Sequence, residues 1–116
     1  MKRAFLRNAE IENVAHRVAV ETADARAMPF ADESFDIVLS SWVLHNIVRR
    51  KERKKALAEM ARVLKPNGEI VIADVWLGFE YAAFFRKNDF ACVSVSRPYF
   101  LFFAPTFVVR AAKAKR

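Results

Sequence analysis

Apolar positions along this chain change their spacing several times, and each change marks an element. Residues 3–12 place Phe5, Leu6, Ala9 and Ile11 on one side, which predicts a helix. In "HRVAVET" (His16–Thr22) apolar and polar residues alternate around Val18 and Val20, the pattern of a short strand. "FDIVLSS" (Phe35–Ser41) is a continuous apolar run behind a polar turn, predicting a strand buried on both faces. From Glu52 to Leu64 the residues Leu57, Met60, Ala61 and Leu64 follow an i, i+3, i+4, i+7 stripe, with lysines and arginines opposite. "KPNG" (Lys65–Gly68) ends that helix, because Pro66 cannot continue it and Asn67-Gly68 suits the positive-φ positions of a turn. "EIVIADV" (Glu69–Val75) reads as the next strand and residues 78–88 as a helix ending near Asn88. "ACVSVS" (Ala91–Ser96) and "TFVVRAA" (Thr106–Ala112) close the chain as an antiparallel strand pair around Pro98 and Pro105.

This alternation predicts one α/β domain over residues 1–116, with no repeat or linker to divide it. The sheet has about five strands, mostly parallel with an antiparallel C-terminal pair, and helices on both faces. Ligands of such sheets sit outside the carboxyl ends of the strands. Asp24, Ser40, Ser41 and Asp74 fall near those ends.

Composition narrows the function classes. A hydrophobic share of 54% with eleven Phe supports a true core. The two glycines, Gly68 and Gly78, exclude a Gly-rich phosphate loop, which needs closely spaced glycines. One cysteine and two histidines offer neither an internal disulfide nor a zinc pattern, so no metal site is expected. A reducing, cytoplasmic setting follows, with Cys92 read as a buried strand residue. The N-terminus lacks a signal-peptide core, and the longest uncharged stretch, Pro98–Val109, holds 12 residues, too short to span a bilayer. The net charge of +7 concentrates in Arg49–Lys55 and Arg110–Arg116. Without interleaved aromatics these runs read as a solvated helix face and a basic tail; a nucleic-acid-binding module is the alternative.

Two blocks carry a resemblance. "TADARAMPFADESFDIVLSSWVLHNI" followed by "ALAEMARVLKPNGEIVIADV" resembles the second half of a class I S-adenosylmethionine-dependent methyltransferase, of the type 11 or ubiquinone–menaquinone kind. The closing "EYAAFFRKNDFACVSVS" and "PTFVV" are similar to the last helix and strand pair of that incomplete Rossmann-like fold. The resemblance implies S-adenosylmethionine as cofactor and a small-molecule acceptor. Asp24 would accept a hydrogen bond from the adenine amino group, and the backbone N–H of Ala25 would meet the ring. Carbonyls of Ser40 and Ser41 would face the methionine amino group, with Trp42 and His45 bordering cofactor and acceptor and Asp74 beside the acceptor pocket. His45 is the candidate base, since imidazole is the side chain that exchanges protons near neutrality.

The same residues have plainer readings. Asp24 suits the start of a turn, and Ser40 and Ser41 suit a strand exit or a helix cap. Trp42 suits a core, His45 a half-buried structural position, and Asp36 a local bond to backbone.

In the family, the strands and Gly-rich loop that hold ribose and methionine precede the matching region, so the resemblance implies an N-terminally truncated domain. Its first two strands would stand between Val18–Thr22 and Phe35–Ser41, and their removal leaves a gap of roughly 14 Å. Three outcomes are open: direct pairing of the flanking strands, a homo-oligomer or complementing chain in the gap, or a non-catalytic remnant or accessory subunit.

Overall fold

The computed structural model describes residues 2–101 and 104–114. Their order is α1 (Lys2–Ile11), β1 (Phe35–Ser41), α2 (Arg50–Val63), β2 (Leu64–Val75), α3 (Gly78–Lys87), β3 (Phe90–Val95), β4 (Tyr99–Leu101) and β5 (Ala104–Lys113). The strands form one sheet in the order β1-β2-β5-β3, with β4 also against β5. β1 pairs parallel with β2, while β5 runs antiparallel to β2, β3 and β4. Thus β1, β2 and β3 share one direction, as the α/β pattern requires.

One face of this sheet is packed. Register sets Ile70 opposite Ala111 and Ile72 opposite Val109, so these four side chains share a face. All four are buried against Leu57 and Met60 of α2 and Tyr81, Ala82 and Phe85 of α3. Each buried Ile, Val, Leu, Met or Phe side chain here contributes about 1.5–3 kcal/mol. Lys113, at the end of β5, donates through Nζ to the carbonyls of Ala61 and Leu64 at 2.8 and 2.7 Å, which satisfies the last turn of α2.

The opposite face is open, which overturns the expectation that β1 is buried on both sides. Ile37 and Leu39 are 61% and 72% exposed. The reason lies in the layers: α2 and α3 pack on the face that carries Val38, Ile70 and Ile72, whereas Ile37 and Leu39 belong to the other face. α1 leaves Phe5 and Ile11 exposed as well, burying only Ala9.

The strand expected at His16–Thr22 is absent. Ala15–Arg17 is a 3₁₀ turn, and the residues after it join no ladder up to an isolated bridge between Asp24 and Ala27. Alternation alone does not make a strand; a neighbouring strand must accept its backbone hydrogen bonds. "KPNG" also differs from expectation. The helix ends before it, but Lys65–Gly68 bulges inside β2: Phe35 pairs with Leu64 and Ile37 with Glu69. Asn67 takes φ 68°, whereas Gly68 has negative φ and matters for space, since a Cβ there would lie 2.6 Å from Leu64 Cδ1. Cys92 lies on β3 but is exposed, not buried. Among the described residues no helix is long and apolar enough to cross a membrane, and no cluster could hold a metal ion.

Candidate functional site

The short turn at Asp24–Ala27 is built by its own side chains. Asp24 Oδ1 accepts the backbone N–H of Arg26 at 2.9 Å, and Arg26 Nη2 reaches Oδ2 at 2.7 Å. These bonds push the Asp24 carboxyl down to about 2, the side-chain hydrogen bond contributing most. Asp24 therefore does form the turn that its plainer reading describes. The Nε of Arg26 also reaches both oxygens, at 3.0 and 3.2 Å, so each oxygen accepts two contacts from Arg26 and the carboxylate's roughly four acceptor sites are engaged within the turn.

Two arginines of α2, invisible as anything but solvated charge in the helical pattern, fasten the flanking loops. Arg62 donates to the carbonyls of Phe30 and Met28 at 2.7 and 3.1 Å and to Asp32 at 2.8 Å. It also bonds Glu59 at 2.6 Å, whose other oxygen accepts the Met28 N–H at 2.8 Å. Arg53 donates to both oxygens of Glu80 at 2.8 Å, and through Nη1 to the carbonyls of Ile47 and Val48 at 2.9 and 2.7 Å. Helix α2 thus holds the loop before β1 and the loop after it.

As a result the Asp24 turn and the second loop face one open cleft of about 590 Å³. Its walls are Ala23–Arg26, Val43, Asn46–Arg49 and Glu52. A carboxylate and a small side chain, Ala25, stand opposite the apolar Val43, Ile47 and Val48.

Beside this cleft lies the only buried carboxylate among the described residues, Asp74, 1% exposed near the end of β2. Four groups meet it. Oδ1 lies 2.6 Å from His45 Nδ1 and accepts the Val75 N–H at 2.9 Å, while Oδ2 accepts the Tyr81 hydroxyl at 2.7 Å and the His45 backbone N–H at 2.9 Å. Burial and then the Asp74 carboxylate push the Tyr81 hydroxyl far above the usual phenol range, so it remains a donor. Gly78 permits this approach: a Cβ there would lie 2.9 Å from Phe107 Cβ, so α3 can press on β5 and bring Tyr81 to Asp74.

The expected site residues are only partly gathered. Asp24 and Ala25 line the cleft; Ser40, Ser41, Trp42 and His45 do not. Ser40 is half-buried at the helix-covered face and Ser41 is exposed. Trp42, with φ 56°, donates its N–H to the Ala73 carbonyl at 2.8 Å and meets His45 edge-on, ring centroids 6.1 Å apart. His45 lies in the 3₁₀ turn Leu44–Asn46, its side chain 28% exposed. Asp36 satisfies no local backbone group; it stands exposed, 3.6 Å from Lys65 Nζ. Sequence reasoning missed Tyr81, Arg53 and Arg62. Tyr81 was findable, since it precedes Phe85 by one helical turn on the apolar side of α3.

A half-open α/β sheet with a cleft at the carboxyl end of a parallel strand is a fold of the Rossmann-like kind. A model of the methyltransferase domain family matches residues 1–72. The chain belongs to that family, the class I S-adenosylmethionine-dependent methyltransferases.

Relatives agree with this placement. A demethylmenaquinone methyltransferase of Renibacterium salmoninarum is 57% identical over 51 residues, 44% of this chain and 20% of that protein. A probable tRNA methyltransferase 9B of Homo sapiens is 40% identical over 62 residues, 53% of this chain and 13% of that protein. Among solved folds, a 1,6-didemethyltoxoflavin-N1-methyltransferase of Burkholderia thailandensis, with S-adenosylhomocysteine bound, superposes with TM-score 0.74 at 18% identity. That match covers 93% of this chain and 56% of that one. The matched stretch thus spans about a fifth or less of these two curated relatives.

Proposed function

We propose that this chain supplies the adenine-contacting and acceptor-side elements of methyl transfer from S-adenosylmethionine to a small molecule. The observation that carries this reading is the shared cleft, which sets the Asp24–Ala25 turn against the Val43–Arg49 loop at the carboxyl end of β1. Its residues fit the adenine end of the cofactor: an exposed carboxylate whose partner Arg26 is itself exposed and can yield a contact, a small side chain at Ala25 and apolar walls. The carbonyls of Ser40 and Ser41, with Trp42, are the groups nearest the strand end for the methionine portion. When bound, the cofactor supplies a methyl group already activated by its sulfonium. What remains for the protein is to orient the acceptor, exclude water and take a proton where the acceptor carries one. Orientation of this kind lowers barriers by about 7–11 kcal/mol in favourable cases. His45, in the same loop as Val43 and Asn46–Arg49, is the side chain this reading assigns to take the proton.

The demethylmenaquinone methyltransferase relative supports a small-molecule acceptor. The tRNA methyltransferase relative and the exposed basic face of α2 support an RNA acceptor as the second reading. Binding to RNA that falls steeply with salt would favour the second. The unpaired edge of β1 and the exposed Ile37 and Leu39 further support a complementing polypeptide or a second copy along that edge, which light scattering of the purified chain would reveal.

Isothermal calorimetry with S-adenosylhomocysteine tests the cofactor reading. Saturable heat that weakens in Asp24→Ala is the expected result. No heat at millimolar ligand would remove cofactor binding by this chain.

A further inference from the structure

We infer that Asp74 is a positioning residue that fixes the proton of His45 on Nδ1 and so presents Nε2 as the base for the methyl acceptor. This deepens the methyltransferase reading and rests on it.

The geometry leaves Nδ1 no other role. Asp74 is a buried carboxylate, and its two oxygens already receive two backbone N–H groups and a phenolic O–H. A carboxylate only accepts, so the fourth contact, 2.6 Å from Nδ1, requires Nδ1 to carry a hydrogen. The neutral ring then keeps its lone pair on Nε2. Nδ1 faces the buried acid, and the His45 side chain as a whole keeps 28% exposure. No hydrogen bond occupies Nε2 among the described residues. The backbone is held as well as the ring, because Asp74 also accepts the His45 N–H, and Arg53 donates to the carbonyls of Ile47 and Val48, two and three residues further on.

The arrangement selects a class of acceptor. A base is needed only where the nucleophile arrives protonated, so the acceptor carries a hydroxyl, phenol or N–H. Its proton bonds to the Nε2 lone pair while the O–H or N–H electron pair stays on the heteroatom. Asp74 holds the resulting imidazolium through Nδ1–H. The proton afterwards leaves to water.

The test uses the full chain without ligand, and His16, exposed and free of Asp74, serves as the reference in the same molecule. Long-range ¹H–¹⁵N spectra of the two imidazoles in mildly alkaline buffer read the tautomer. Diethyl pyrocarbonate, with mass spectrometry, reads the reactivity of Nε2. We expect His45 to hold Nδ1–H while His16 shows the ordinary mixture. In Asp74→Asn the uncharged amide no longer enforces this state, Nε2–H appears, and acylation of His45 slows roughly tenfold, the size of one lost charge-assisted hydrogen bond.

Tyr81→Phe keeps the carboxylate and retains Nδ1–H, which keeps the test decisive where Asp74→Asn fails to fold. A His45 that is Nε2–H in the wild type, or that loses Nδ1–H in Tyr81→Phe, overturns the proposal. So does acylation that is no faster in the wild type than in a folded Asp74→Asn. These readouts need no cofactor, so they fail or hold separately from the calorimetry.

Discussion

Ile72 and Ile37 lie on neighbouring strands of one sheet, yet the first is fully buried and the second 61% exposed. Residue type does not separate them; what stands over each face does. Ile72 faces α2 and α3, whereas Ile37 faces outward from an edge strand. The comparison divides the chain into a finished packing unit, β2–β5 under two helices, and an open flank formed by α1, the residues after it and the outer side of β1. The candidate chemistry sits on the seam. Asp74 and Tyr81 belong to the packed unit, the Asp24 turn belongs to the flank, and the loop bearing His45 joins them.

The largest effect should come from the same substitution on either side of that division. Ile72→Ala is expected to cost about 2–5 kcal/mol in urea unfolding, against less than about 1 kcal/mol for Ile37→Ala. Equal losses would erase the distinction. Next is Arg53→Ala, which breaks the joint between the packed unit and the loop and should cost about 2 kcal/mol. Its pH dependence has a definite sign. Arg53's hydrogen bond holds the Glu80 carboxyl below its ordinary 4.5. The contribution is therefore whole above that value and fades as acid carries Glu80 through its lowered folded value. The gap between wild type and Arg53→Ala should close in acid; a gap that widens there would refute the pairing.

Smaller again is Tyr81→Phe, about 1.5 kcal/mol by thermal or urea unfolding, the low end for a hydroxyl donating to a carboxylate that keeps three other partners. Least of all is Arg26→Ala. Its pair with Asp24 is exposed, and no resolvable change in the unfolding midpoint is expected.

These sites also show what the sequence could disclose. Helix α2 was legible from its stripe because Leu57 and Met60 repeat with the helical period and do meet the sheet. β2 and β5 were legible for the same local reason. The burial of β1 was not, because its apolar run cannot report which neighbours it lacks. Val18 and Val20 alternate like strand residues, but alternation cannot supply a partner ladder. Asp24 and His45 were marked by their motif; Asp24 lines the cleft, whereas His45 lies against Asp74 outside its lining. The clamps of Arg53 and Arg62 were missed because pattern counting assigns every arginine on a polar face to water. Asp74 was marked by position, while its bond to Tyr81 depends on how closely α3 packs at Gly78, a property of tertiary contact alone.

The central claim is that the Asp24 turn and the Val43–Arg49 loop form one cofactor surface across the seam. Titrating ¹⁵N-labelled chain with S-adenosylhomocysteine and mapping amide shifts tests it most directly. The account predicts shifts concentrated at Ala23–Arg26 and Val43–Arg49, with α3 and β3 unchanged. Saturable shifts confined to α3, β3 or the basic face of α2, with both cleft segments silent, would contradict it.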